Sequence, residues 1–132
     1  KLRHRIEHAS IVHPDDYVKF ADLEIIASVQ PPYVAEDPAW SVDRIGTERS
    51  RDMLAWRKMR RHNVPLAFGS DLVAYDFSVF YGIYAAITRM DKSGVPEGGF
   101  FPEEKLAINR KSGRKKYLLL MSNLFETCRN YG

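Results

Sequence analysis

Three short apolar runs, each closed by polar chemistry and each followed by a stretch of helical period, constrain this chain more than any other feature. The first, "LRHRIEHA" (residues 2–9), puts Leu2, His4, Ile6 and His8 on one side and Arg3, Arg5 and Glu7 on the other. That alternation is the period of a strand. The second, "EIIASVQPP" (24–32), is a β-branched run stopped by Pro31 and Pro32, and the third is "VPLAFGSD" (64–71). Between the first two lies "HPDDYVKFADL" (13–23), where Pro14 and two aspartates suit a first helical turn. Tyr17, Phe20, Ala21 and Leu23 supply its apolar face. Residues 42–62 are expected to form one helix, with Val42, Ile45, Met53, Leu54 and Trp56 apolar among basic residues. "SVFYGIYAAITRM" (78–90) is a third helix, and "KSGVPEGGFFPEE" (92–104) a Gly/Pro-rich loop. A strand–helix order taken three times predicts a parallel sheet with right-handed crossovers. In such sheets ligands and catalysis gather at the carboxyl ends of the strands. Here those ends carry His8, Gln30 and Ser70–Asp71.

Charge is divided unevenly. Residues 1–108 hold 14 Lys+Arg against 16 Asp+Glu, whereas residues 109–132 hold six against one, so the net charge of +3 comes from the tail. A nucleic-acid reading would rest on that tail alone, and nucleic acid is not an expected partner. No apolar run approaches the roughly 20 residues that cross a bilayer, so no membrane partner is expected. Cys128 is the single cysteine, which makes a reducing, cytoplasmic setting the default. A chain that starts at Lys1 is expected to be trimmed or partial.

His8 and Asp71 lie 63 positions apart, so no local motif joins them. Imidazole and carboxylate at the ends of neighbouring strands could share a divalent metal, with the carboxylate taking a proton from water. The alternative is that His8 is a hydrogen-bonded core residue and Asp71 an N-cap. "HRIEH" (4–8) also spells an inverted zinc-protease motif, which needs a helix where the alternation predicts a strand. His13 belongs to a loop. His62, within "WRKMRRH" (56–62), belongs to a solvated helix end where cations favour the dipole. Cys128 has no activating base near it in sequence, and no phosphate-cradling glycine loop or paired-cysteine zinc site is present.

Taken in order, "RHRIEHA", "IIASVQPPY", "RIGTER", "AWRKM", "VPLAFGSD", "GIYAAITR" and "GVPEGGFFPEEKL" resemble the amidohydrolase superfamily, and within it the amidohydrolase-3 branch of N-substituted formamide deformylase-like enzymes. The likeness covers roughly residues 2–107. It implies an α/β fold that is part of a (β/α)8 barrel, about three consecutive βα units corresponding to barrel strands six to eight. It also implies one or two divalent metals, zinc by preference, at the carboxyl ends of the strands. By this resemblance His8 is a metal ligand, and Asp71 is both a metal ligand and the catalytic proton carrier. The family's Gln-Pro-x-His segment reads Gln30-Pro31-Pro32-Tyr33 here, which marks Gln30 and Tyr33 as substrate-side residues, while Arg89 suggests structural pairing. The family's strand-one His-x-His, its strand-four bridging residue and its strand-five histidine have no counterpart after Lys1. After Gly-Ser-Asp the family continues Phe-Pro-Val and has a later Asp-Pro, where this chain has Leu72-Val73-Ala74 and Ser78-Val79.

The resemblance therefore implies residues 1–108 as the C-terminal portion of a metal-dependent hydrolase barrel and residues 109–132 as a basic tail outside it. The tail is expected to be a frame-shifted, mis-spliced or mispredicted end. The implied reaction is hydrolysis of a non-peptide amide-type C–N bond in a small molecule by metal-activated water. Because three of eight strands cannot close a barrel, the chain alone is expected to be inactive, its site completed by the missing N-terminal half. The alternative function is a non-catalytic truncated product whose basic tail binds an acidic partner.

Overall fold

The computed structural model describes residues 2–35, 37–72, 74 and 76–107. Three parallel strands form its sheet: β1 (Arg5–Glu7), β2 (Ile26–Val29) and β3 (Leu66–Phe68), in the order β1-β2-β3. Ile6 pairs with Ala27, and Ser28 pairs with Ala67. Consecutive parallel neighbours require a crossover between each pair, and the helical stretches supply it. Helix α1 (Tyr17–Asp22) connects β1 to β2, entered through a 3-10 turn at Pro14–Asp16. Helices α2 (Asp37–Ile45), α3 (Thr47–Ser50) and α4 (Trp56–Arg61) connect β2 to β3. Helix α5 (Val79–Thr88) follows β3. The fold class expected from the sequence is present as a three-stranded parallel α/β unit.

Central β2 is the buried strand, with Ala27 and Val29 fully covered. Tyr17, Phe20, Val34, Met53, Leu54, Trp56 and Met59 build the core with them. By contrast β1 is exposed along its length. Its predicted extent was residues 2–9, yet the ladder holds just three residues. Arg3 (φ 48°) and His8 (φ 65°) are left-handed, a conformation that cannot continue a strand. Leu23 likewise leaves the predicted face of α1: it is the C-cap and is exposed.

The single helix expected over residues 42–62 is instead three short ones. Gly46 (φ 79°) takes a backbone conformation that ends α2 and starts α3. Leu54 (φ 52°) then turns the chain inward, its N–H donating to Ser10 O at 2.7 Å, while Met53 bridges Ile11. Met53, Leu54 and Trp56 are thereby buried, which a straight helix would not achieve.

Behind α5 the Gly/Pro-rich segment packs closely. Arg89, the C-cap of α5, is fully buried: its Nε donates to Phe100 O (2.8 Å) and its guanidinium to Leu54 O (2.7 Å). The guanidinium lies 4.7 Å from the Trp56 ring centroid. Burial pushes Arg89 down to about 10 against the pull of Glu104 and Glu103, so it stays charged at neutral pH. Glu104, also buried, accepts the N–H groups of Arg57 (3.0 Å) and Lys58 (3.1 Å) at the start of α4, where Ala55 offers no side-chain cap. The structural pairing expected of Arg89 is thus with backbone carbonyls. Among the described residues no helix is long and apolar enough to cross a membrane.

Candidate functional site at the strand ends

Parallel strands put their carboxyl ends on one edge, so the residues just past β1, β2 and β3 share a rim. His8 follows Glu7 directly, Gln30 follows Val29 directly, and Asp71 comes three residues after Phe68. A 3-10 turn at Pro31–Ala35 then places Tyr33 on the same rim.

One hydroxyl joins these residues. Tyr33 Oη donates to Asp71 Oδ2 at 2.6 Å and lies 2.9 Å from His8 Nδ1. Gln30 Oε1 lies 3.1 Å from the same nitrogen, and the His8 and Tyr33 rings stack with centroids 5.7 Å apart at 15°. His8 and Asp71, far apart in sequence, stand no more than two hydrogen-bond lengths apart. The Tyr33 proton points to Asp71 and the Gln30 amide oxygen only accepts, while the role of His8 Nδ1 depends on the imidazole tautomer.

The rim also stores conformational strain. His8 (φ 65°) and Ala9 (φ 42°), directly after β1, and Asp71 (φ 56°), three residues after β3, are left-handed. Glu24, Asn63 and Arg89 are left-handed where helices end, a routine turn, and Arg3, Leu54 and Phe101 are left-handed elsewhere. Left-handed residues at strand ends cost roughly 1 kcal/mol or more and gather at functional sites.

Asp71 is not an N-cap: Ser78 caps α5, accepting the Tyr81 N–H at 3.3 Å. Nor is His8 a core residue, since it is exposed while its partner Gln30 is buried. The strand at Arg5–Glu7 removes the helix that the inverted protease motif would need. His13 caps the turn before α1 by accepting the Asp15 N–H, and His62 ends α4 with its ring 5.5 Å from that of Tyr17. Both lie in loop or helix-end positions, as expected. Cys128 and the basic tail, residues 109–132, lie outside the described residues.

Two features escaped sequence reasoning. Tyr33 reaches across to both His8 and Asp71, for which a tyrosine three residues beyond Gln30 in a Pro-Pro turn was the only hint. An apolar groove also borders the rim, lined by Pro31, Pro32, Phe68, Phe77, Val79 and Ile83. Its signal was the apolar start of α5 facing the Pro-Pro turn.

His8 and Asp71 carry donor types that a divalent metal takes, imidazole nitrogen and carboxylate oxygen. Among the described residues no group of three or more His, Cys, Asp or Glu is gathered for a metal. Catalytic zinc usually takes three protein ligands, so two such donors alone fall short of a zinc site.

Residues 1–110 match the model of the amidohydrolase family. The chain is 29% identical over 107 residues to Protein LONG AFTER FAR-RED 3 of Arabidopsis thaliana, covering 80% of this chain and 18% of that protein. It is 31% identical over 85 residues to YtcJ of Bacillus subtilis, an amidohydrolase by name, covering 64% of this chain and 16% of that one. Among solved structures, an uncharacterized metal-dependent hydrolase from Pyrococcus horikoshii is similar with a TM-score of 0.64 at 28% identity, over 78% of this chain and 20% of that one. One from Pyrococcus furiosus has a TM-score of 0.65 at 24% identity, over 80% of this chain and 20% of that one, a likeness of fold. The chain therefore spans about a fifth of the length of the proteins it matches.

Proposed function

The chain belongs to the amidohydrolase family, and from that premise we propose that it supplies the strand-six to strand-eight part of a metal-dependent barrel hydrolysing amide-type C–N bonds in small molecules. The observation that carries this reading is the meeting of His8 and Asp71 at one rim, both bonded to the Tyr33 hydroxyl. The relatives' metal-dependent hydrolase names agree with it. The substrates of the formamide deformylase-like branch are the class to try first.

In this reading His8 and Asp71 would hold a divalent ion, zinc by preference. When bound, such an ion would supply an acidified water and Lewis-acid polarisation of a carbonyl. Asp71 takes the proton of the attacking water and returns it to the departing nitrogen, and its exposure leaves it accessible to both. Gln30 and Tyr33 border the pair where the substrate amide would lie. Residues 1–108 form the hydrolase portion, and the remaining ligands come from upstream βα units of the barrel.

Complementation tests the proposal. The chain with zinc is expected to show no turnover of formamides or N-acyl amino acids alone. Mixed with a relative's barrel lacking its last three βα units, it should restore hydrolysis. Asp71→Asn should then lower kcat at least about 100-fold, the usual scale for losing an acid–base group. Equal turnover with Asp71→Asn would overturn the proposal.

A further inference from the structure

The Tyr33 hydroxyl is shared between two groups that do not touch each other directly. It donates to Asp71 Oδ2 at 2.6 Å and faces His8 Nδ1 at 2.9 Å. A phenol has one proton, so donating to Asp71 leaves it able only to accept from His8. We propose that Tyr33 is a positioning residue through which Asp71 sets the tautomer of His8. The carboxylate draws the phenol proton, the phenol oxygen accepts from Nδ1–H, and the Nε2 lone pair is left to bind a ligand. This rests on the reading of His8 as a metal ligand only for its purpose; the coupling itself belongs to the protein without metal.

Three observations support a built arrangement over a chance contact. The His8 and Tyr33 rings stack nearly parallel at 15°, which fixes the imidazole plane. Gln30, only 5% exposed, places a second acceptor 3.1 Å from the same Nδ1 and opposes the other tautomer. The backbone is left-handed at both His8 and Asp71, a conformation held at each end of the relay. Partners of this kind fix which nitrogen of a histidine is free, and their loss commonly weakens metal binding 10–100-fold.

The test is nitrogen-15 NMR of the histidine side chains in the metal-free 132-residue chain, at a pH where His8 is neutral. Its signals among the four histidines are assigned by their loss in His8→Ala. The wild-type chain should show His8 as the Nδ1–H tautomer. Asp71→Ala leaves His8 untouched but frees the phenol proton to turn towards Nδ1. The Nδ1–H to Nε2–H ratio should then fall about fivefold, the equivalent of one exchanged hydrogen bond. Tyr33→Phe keeps the stacking and removes the hydroxyl, and in that background Asp71→Ala should change the ratio no further. An unchanged ratio in Asp71→Ala, or the same change with and without the Tyr33 hydroxyl, would overturn the proposal. Circular dichroism of each variant separates a lost fold from a lost relay, and a folded Tyr33→Phe protein in which Asp71→Ala still shifts the tautomer also overturns it. Zinc titration of the same proteins tests the metal reading separately. Affinity lost about tenfold or more in Tyr33→Phe supports both, whereas a tautomer shift with zinc affinity indifferent to His8→Ala supports the relay and removes the metal role.

Discussion

The rim and the cluster behind α5 handle charge in opposite ways. Behind α5, Arg89 and Glu104 are buried and spent on the backbone, Arg89 on the carbonyls of Leu54 and Phe100, Glu104 on the N–H groups that open α4. At the rim, His8 and Asp71 are exposed and tied to other side chains through Tyr33. Buried charge here closes the chain on itself, and exposed charge is left able to meet something from outside. The contrast separates architecture from chemistry within about 100 residues.

The largest effect expected from this contrast is at Arg89. Arg89→Ala removes the donor to two buried carbonyls and the cation stacked on Trp56, and should lower unfolding stability by about 3–5 kcal/mol. Arg89→Lys should recover less than half, because an ammonium lacks the planar fork that reaches both carbonyls. Urea unfolding measures both. A loss below about 1 kcal/mol in Arg89→Ala, the range of ordinary surface changes, would break the comparison on its buried side.

Gly99 comes next. Its φ is 91°, and an added Cβ would stand 2.2 Å from Thr88 O, so this loop lies against the end of α5 at a distance only glycine permits. The neighbouring Phe100 N–H donates to Arg89 O at 2.8 Å, which ties the approach to the Arg89 cluster. Gly99→Ala should cost about 2 kcal/mol or more through clash and strain. Gly46→Ala meets no atom within 4 Å and should cost only the conformational part, about 1–3 kcal/mol. Similar losses at the two glycines would show that the close approach contributes nothing.

How much of this was legible in the sequence follows from the range of the forces involved. The three strands, the parallel sheet and the collection of His8, Gln30 and Asp71 at one edge came through, because alternation, β-branched runs and proline stops are local signals, but the strands that carry His8 and Asp71, expected to be neighbours, lie on either side of β2. The break within residues 42–62 was only half visible. Gly46 advertises a left-handed turn, but Leu54 adopts one solely because the core behind it rewards burial. The Tyr33 bridge was not legible. It joins residues 25 and 38 positions away, and nothing local in "QPPY" states which way the ring points. The family resemblance gave the position a substrate-side role, and the structure adds its two bonds to His8 and Asp71.

At the rim, the comparison predicts that stability and chemistry part company. His8→Gly removes an exposed side chain and relieves a left-handed backbone, so unfolding stability should fall by no more than about 0.5 kcal/mol and is free to rise by up to about 1 kcal/mol. Thermal unfolding checks this, and a loss above 2 kcal/mol would mean that the rim carries the fold as the Arg89 cluster does.

The smallest effect concerns the segment between Asp71 and α5, which joins the rim to the helix. Asp76 accepts the Ser78 N–H at 2.7 Å and pairs with Lys92, and these contacts, Lys92 foremost, hold its carboxyl below the ordinary range. A carboxyl with a lowered folded value binds its proton less readily folded than unfolded. Its stabilising share is therefore present above the unfolded value, about pH 4, and is lost as pH falls through the folded one. Asp16, held low by Lys19, has the same sign and contributes to the same acid slope. Asp76→Asn should flatten the fall in melting temperature below about pH 4 without abolishing it, and Asp16→Asn should remove a further part. Because both carboxyls are solvated and paired with exposed lysines, added salt should shrink the difference between wild type and variant. A salt-insensitive difference would place Asp76 with the buried charges behind α5, and the division between rim and core would have to be redrawn to include the loop that joins them.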